Sequence, residues 1–511
     1  MPLVRCLPVT APPPSLKDNT ADLDRLKRAL REGLGQGPLV VPWRWAGRVA
    51  ANFREAGFSG AAIVNDGEGR LELVDFLPRP PAVLPGLALD LGTTYLEATL
   101  LDLASGRRLA RGHHLNGQIR FGDDILSRIH EAGQGAGLSE LQGAVIGSIN
   151  ELATGLARQA GIVPQEVRAL SVAGNPTMIH LFLGLDPHHL CREPYIPLVN
   201  APDLTAAWEL NLALHPAAPV YVLPGVGSYF GGDLIAGILA SGLDQGEKTA
   251  MLIDVGTNAE VVLGNRDWLI ACAGAAGPAL EGGVARMGMR AGPGAIEHLD
   301  IDPATLAISW QTVDNQPPRG LCGSGIIDLV AGLYLGRVID QRGKFRPGAD
   351  PRRLRRGESG LSYVVVPGEE AADGRAVILE QADLDALMRS KAAMYAILST
   401  LAAQVGVDFA ELSRICVAGA FGRHIDPRRA ITLGMLPDLP LSVYQPIGNS
   451  SLAGAELTLA SGAARSRSLQ IMRSITYVEL NVNQEFMLRF SGAKFIPHTN
   501  HALFPSVPVP G

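Results

Sequence analysis

The chain contains one short pattern twice: Leu89-Asp90-Leu91-Gly92-Thr93-Thr94 returns 164 residues later as Ile253-Asp254-Val255-Gly256-Thr257-Asn258. Each copy reads apolar, Asp, apolar, Gly, Thr, polar. Apolar residues precede it and a second apolar stretch follows, so each copy predicts a strand, a tight turn and a returning strand. The period is too long for a solenoid and implies two similar half-domains. From Gly86 almost to the end, apolar strands alternate with Gly-rich turns and helical segments, the pattern of an α/β layered fold.

The turns carry chemistry. Backbone N–H groups around Gly92 or Gly256, with the hydroxyls of Thr93, Thr94 and Thr257 and the amide of Asn258, suit phosphate oxygens. A carboxylate at the strand end, Asp90 or Asp254, suits a hydrated Mg²⁺. A lone copy reads equally well as a hairpin with glycine at its bend; two copies favour the phosphate reading. A third element, Ile415 to His424, runs from an apolar strand into Gly419-Ala420-Phe421-Gly422, 165 residues past Asp254. Glycines there would let a nucleoside lie against backbone. Gly274 to Gly283, with Gly277, is a further Gly-rich turn, and so is Gly320 to Gly325, where Gly323, Ser324 and Gly325 open a helix predicted over Ile326 to Leu335. Asp233, before a helix predicted over Leu234 to Leu239, is a candidate for orienting water, or equally a carboxylate favoured by a helix N-terminus. Glu260 shares a strand face with Asn258 and could join the polar site.

Composition narrows the partners. Lys+Arg 44 against Asp+Glu 50 gives a net charge of −6, which disfavours nucleic acid and anionic membrane. No apolar run reaches 18 residues and Met1 to Thr10 has no signal-peptide pattern, so the expectation is a cytoplasmic protein without a membrane segment. The five cysteines, Cys6, Cys191, Cys272, Cys322 and Cys416, are nowhere closer than 50 positions, and read as buried reduced thiols. Neither the pair His113-His114 nor His188-His189 has the geometry for one metal.

Residues 1–16, with Pro2, Pro8, Pro12, Pro13 and Pro14, read as an extended tail. Thr20 then caps a helix marked by Leu23, Leu26, Leu30 and Leu34, and Gly60 to Phe76 reads as two strands around Asp66-Gly67. The expected organisation is a tail over 1–16, a small α+β domain over 17–83, one lobe over 84–245 and a second, with the C-terminal segment, over 246–511.

The two acidic turns and the nucleoside turn, in that order, resemble the acetate kinase, sugar kinase, Hsc70 and actin (ASKHA) superfamily of two-lobed ATPases. Longer strings resemble the reductive activators of corrinoid enzymes: Asn116 to Ile129, including Asp123, Asp124 and Arg128; Ala173 to Met178; Leu223 to Gly225; Ile253 to Glu260; Ala276 to Gly282; Gly323 to Gly325; Gly419 to Gly422; and Tyr477 to Leu480. The resemblance covers the chain from the proline-rich start onward. It implies an α/β, actin/Hsc70-like ATPase with duplicated RNase H-like subdomains, preceded by the small α+β domain.

The resemblance also implies a reaction, ATP-dependent return of a corrinoid protein of a methyltransferase system from Co(II) to Co(I). Asp90 and Asp254 would hold Mg²⁺ through water, and Thr93, Thr94, Thr257 and Asn258 would grip the phosphates of ATP. Members of the family carry a [2Fe–2S] ferredoxin domain ahead of the linker at which this chain starts, and Cys6 cannot replace four thiolates. No iron–sulfur cluster is therefore expected in this chain, and electrons are expected from an external low-potential donor such as a ferredoxin. The symmetry of the family suggests a homodimer. Asp123, Asp124 and Arg128 share a helix start, where capping with an (i, i+4) ion pair accounts for Asp124 and Arg128. Two other readings share the phosphate turns, a small-molecule kinase and a nucleotide-dependent binding protein without a redox role.

Overall fold

The computed structural model describes residues 1–31, 34, 38–65, 71–256, 258–274, 285–357, 360–480 and 483–509. These fall into two compact units, one of residues 1–240 with 450–473, the other of 241–449 with 474–511.

The first unit opens with a sheet of β1 (Arg5–Thr10), β2 (Leu39–Val40), β3 (Ser59–Asn65) and β4 (Leu71–Leu77), in the order β1-β3-β4-β2 among the described residues. Helices Asp22–Arg31 and Trp43–Glu55 cover it, through Leu26, Leu30, Val49 and Phe53. The Asp66-Gly67 turn expected between β3 and β4 lies outside the described residues. Residues 1–16, expected from their prolines to be an extended linker or tail outside the core, are extended but pack into this sheet. Leu3 and Val4 are fully buried, and β1 pairs antiparallel with β3 from Arg5↔Val64 to Thr10↔Ser59. Pro8 is tolerated because β1 is an edge strand, where a missing N–H leaves no ladder bond broken.

The larger sheet of this unit contains β5 (Pro85–Leu91), β6 (Tyr95–Asp102), β7 (Arg108–Leu115), β8 (Leu170–Gly174), β9 (Thr205–Ala206) and β10 (Pro219–Val222), ordered β7-β6-β5-β8-β10-β9 among the described residues. β5 to β7 form an antiparallel meander, and β8 and β10 add in parallel. Alternation along β5 puts Leu87, Leu89 and Leu91 in the core with Val145, Ile149 and Leu152 of helix Gly137–Gln159. Asp90 faces the other way, toward helix Ser450–Ala460.

That last contact corrects the expected lobe boundary. Residues 450–473 belong with the first unit, because Ser451 donates to Asp90, Thr458 meets buried Ser171 at 2.8 Å, and Ser468 meets Tyr221 at 2.8 Å.

The second unit repeats the topology. β11 (Ala250–Val255), β12 (Ala259–Gly264) and β13 (Leu269–Gly274) form the meander, and β20 (Ile415–Ala418) and β21 (Tyr444–Gly448) extend it in parallel beside β11. β22 (Thr476–Tyr477) borders β13, which places the Tyr477 to Leu480 string at that edge. Before β20 the chain inserts two small sheets, made of β14 (Ala295–Ile301), β15 (Ile308–Thr312) and β16 (Gly320–Leu321), and of β17 (Leu354–Gly357), β18 (Gly360–Val366) and β19 (Val377–Glu380). Their length explains why the two 164- and 165-residue intervals nearly coincide. β20 is the counterpart of β8, which lies only about 80 residues past Asp90, and not a third copy of the acidic turn.

Helix Gln381–Gln404 packs on this sheet, and helix Gln484–Ala493 packs on that helix. Lys391, fully buried, donates through Nζ to the carbonyls of Phe495 (2.6 Å) and Pro497 (2.8 Å), and burial holds its pKa well below the ordinary lysine value. Lys391→Met would leave both carbonyls without that donor. At about 1–3 kcal/mol for a buried orphan, the melting transition of this unit is expected to fall measurably by calorimetry. Among the described residues, no helix is long and apolar enough to cross a membrane.

Candidate functional site

In the first unit, Asp90 is the penultimate residue of β5, and Gly92-Thr93-Thr94 turns the chain into β6. Ser451 Oγ donates to Asp90 Oδ1 at 2.7 Å. A Cβ on Gly92 would lie 2.3 Å from the Tyr95 carbonyl, so only glycine closes this turn. Asn175 caps helix Pro176–Leu183 by accepting from Met178 N, and its Nδ2 donates to Thr93 Oγ1 at 3.1 Å. Beside it, Gly231 is packed so closely that a Cβ would lie 2.7 Å from Asn175 Cα and 2.5 Å from Asp233 Oδ1. Asp90, Gly92, Thr93 and Asp233 are therefore brought together at the C-terminal ends of parallel strands, where open α/β sheets place ligands. Asp233 lies in the first turn of helix Gly232–Ser241 and also accepts from Leu234 N at 2.9 Å. Asn175 and Ser451 were not singled out for this place from the sequence; Asn-Pro after an apolar strand was the available signal for the first, and Ser451 had none.

The string Asn116 to Ile129 backs the same turn. Buried Asn116 donates through Nδ2 to the Gly92 carbonyl (3.0 Å) and through its backbone N–H to the Thr94 carbonyl (2.8 Å). Its Oδ1 accepts from Gln118 N at 3.0 Å. Asp124 caps helix Ile125–Ala132 as expected, accepting from Ser127 N and Oγ. Arg128 does not make the expected ion pair with Asp124. It is fully buried and donates to the Gly122 carbonyl (2.9 Å), Gln118 Oε1 (3.3 Å) and Met178 Sδ (3.3 Å). Burial lowers its pKa to about 10, against the pull of Asp123 and Asp124.

In the second unit, Asp254 holds the corresponding place on β11, and the antiparallel register sets it directly opposite Glu260 on β12. Asp90 likewise lies opposite Glu97, whose carboxylate accepts from Arg111. Directly opposed carboxylates repel, and an oxygen-only donor set of this kind fits a hydrated Mg²⁺. Gly256 N–H is engaged within its own turn, donating to the Asn258 carbonyl at 2.9 Å, while the Asn258 side chain is exposed. Thr257 and Gly277 lie outside the described residues.

Gly419 follows β20 with φ +72°, and a Cβ there would lie 3.0 Å from Asp254 Oδ1, so the glycine turn sits directly against the acidic turn. The sequence expectation for Gly422 was room for a nucleoside. The structure adds a packing requirement: a Cβ there would lie 2.2 Å from the carbonyl of Val417 in β20. Gly325 is small for a similar reason, facing the Ile296 carbonyl at 2.2 Å, and buried Ser324 donates to the Glu297 carbonyl at 2.7 Å. These two residues seat helix Gly323–Leu335 on β14, and its first residue, Gly323, follows N-cap Cys322. Cys272, Cys322 and Cys416 are buried and Cys6 and Cys191 half-buried, and burial pushes the Cys272 thiol up. Among the described residues, no group of three or more His, Cys, Asp or Glu side chains is arranged to hold a metal.

Three family descriptions match consecutive stretches: "RACo linker region" over residues 1–79, "RACo middle region" over 85–246, and "C-terminal domain of RACo the ASKHA domain" over 248–508. The chain is 34% identical over 425 residues to the corrinoid activation enzyme RamQ of Eubacterium limosum, covering 81% of this chain and 71% of that one. It is 24% identical over 442 residues to the [Co(II) methylated amine-specific corrinoid protein] reductase of Methanosarcina barkeri, covering 76% and 73%. The solved structure of a reductive activator for corrinoid,iron-sulfur protein superposes with a TM-score of 0.89 at 39% identity, over 99% of this chain and 81% of the other.

Proposed function

The chain belongs to the RACo family, and on that premise we propose that it uses ATP to return a corrinoid protein from the Co(II) to the Co(I) state. The observation that carries the reading is the duplicated acidic turn, Asp90-Leu91-Gly92-Thr93 and Asp254-Val255-Gly256, each at the end of the central strand of an ASKHA-type sheet. Co(II) reduction is uphill for ordinary donors, so the nucleotide must bias an equilibrium. The protein does this only if its ATP-bound and ADP-bound states hold the oxidised and reduced partner with unequal affinity.

The residues divide the work. Asp90 in the first unit and Asp254 in the second are the carboxylates that would hold Mg²⁺, which would supply positive charge against the phosphates. The Gly92–Thr94 turn, with Thr93 and Thr94, and the corresponding turn of the second unit, with Gly256 and Asn258, hold phosphates, and Gly323 and Gly419 serve the nucleoside; Thr257 and Gly277 are assigned to the same roles from the sequence alone. Asp233, held beside Asn175 and Thr93, orients the attacking water, and Glu260 shares the charge facing the metal with Asp254. Hydrolysis is then positioning and charge stabilisation. An external low-potential protein such as a ferredoxin supplies the electron, and the reactivated corrinoid protein serves a methyltransferase system.

The test mixes the protein anaerobically with a Co(II) corrinoid protein and a low-potential donor and follows the cobalt absorption spectrum. Co(I) is expected to appear only with Mg-ATP. Absence of Co(I) with several donors and partners, together with ATP consumption only after a small acceptor is added, would replace this reading by a kinase.

A further inference from the structure

Asn116 is fully buried and makes two polar contacts to the Gly92–Thr94 turn, to the Gly92 and Thr94 carbonyls. We propose that Asn116 is a positioning residue that sets this turn for nucleotide phosphate, and that Gln118 and Arg128 set Asn116; the proposal rests on the reading of this turn as a phosphate site.

The argument begins with the peptide plane. In a trans peptide the carbonyl oxygen and the following N–H point in opposite directions. Holding the Gly92 carbonyl on Asn116 Nδ2 therefore turns the Thr93 N–H away from Asn116, toward the outer side of the turn. The Thr94 carbonyl, drawn inward by Asn116 N–H, is likewise kept from the outer side, where its negative end would repel an anion. Asn175 adds a third constraint. Because Thr93 Oγ1 accepts from Asn175 Nδ2, the hydroxyl proton of Thr93 remains available to donate. The outer side is left rich in donors, the arrangement that binds phosphate.

Asn116 needs its amide the right way round. Gln118 N–H on Asn116 Oδ1 provides this, since the oxygen is fixed there and Nδ2 must face Gly92. Gln118 is itself buried, donating to the Leu141 carbonyl at 2.8 Å and accepting from Arg128. Arg128 also reaches Met178, the residue whose N–H holds Asn175 Oδ1. One buried guanidinium thus braces the supports of the turn from both sides.

The test compares binding of Mg-ATP and of adenosine, by calorimetry, to the wild type, Asn116→Ala and Asn116→Asp, with a melting curve for each. Asn116→Asp keeps the acceptor for Gln118 N–H and replaces the donor to Gly92 with a carboxyl oxygen, whereas Asn116→Ala removes both, and the melting curves show which variant retains the fold. The wild type is expected to prefer Mg-ATP over adenosine. Each variant that folds is expected to lose about 10-fold or more in Mg-ATP affinity while adenosine affinity changes by less than about twofold. A wild type that binds both ligands equally would overturn the phosphate reading itself. A wild type that prefers Mg-ATP, with folded variants that keep the same preference, would overturn the role of Asn116 alone.

Discussion

Asp254→Ala is expected to reduce Mg-ATP turnover by about 10²–10³-fold, the loss seen when one preorganised electrostatic contact is removed from a reacting centre, while leaving the fold intact. The second half of that expectation follows from the register. Asp254 is half-buried at a strand end and lies directly opposite Glu260, so its removal relieves one like-charge pairing and leaves the buried apolar residues of β11 in place. Asp90→Ala should lose turnover to a similar degree and should also melt lower than the wild type, because buried Ser451 then loses its acceptor, at about 1–3 kcal/mol. Phosphate release and thermal denaturation on the two variants check both statements together. Unchanged turnover in Asp254→Ala would remove Asp254 from the site, whatever the melting curves show.

What could be read from the sequence was what is local. The strand before each acidic turn, the returning strand after it, the helix with Leu26 and Leu30, and the cap at Asp124 all follow from a few adjacent residues, and the structure contains each of them. Two similar half-domains likewise follow from the repeated pattern, and among the described residues the two large sheets share a five-strand order and differ in the sixth strand, β9 beside β10 in one and β22 beside β13 in the other.

The misreadings share a physical cause, a partner distant in sequence. Proline content made 1–16 look like a tail because the edge position of β1 is set by β3, about 50 residues away. Chain order places residues 450–473 in the second lobe, whereas Ser451 bonds to Asp90, 361 positions earlier. Arg128 was paired with Asp124 by helical spacing, but buried acceptors at Gly122 and Gln118 compete for it and win. Gly422 and Gly325 illustrate a further ambiguity: a glycine required by a neighbouring carbonyl and one required by a ligand look identical in sequence.

The second large effect is on stability. Asp75 on β4, Arg168 just before β8 and His215 form a buried cluster in the first unit that joins the small sheet to the larger one. Arg168 donates twice to Asp75 Oδ2, at 3.1 and 2.9 Å, and His215 Nε2 lies 3.5 Å from the same oxygen. Burial alone would raise the Asp75 carboxyl, but His215 and Arg168 outweigh it and hold the pKa below the usual carboxylate value. Arg168→Met would leave the Asp75 charge buried without its principal partner. Breaking such a pair from one side costs about 3–5 kcal/mol, which for a unit of this size corresponds to roughly 6–20 °C in melting temperature. The pH dependence has a definite sign. Because the folded-state pKa of Asp75 is lowered, its contribution is present above the unfolded carboxylate value of about 3.9 and is lost as pH falls through the folded value. Below that window the wild type should lose its advantage, and the gap to Asp75→Asn should close. A gap that stays constant from neutral pH down to acid unfolding, or Arg168→Met melting within about 2 °C of the wild type, would show that this cluster does not hold the two sheets together.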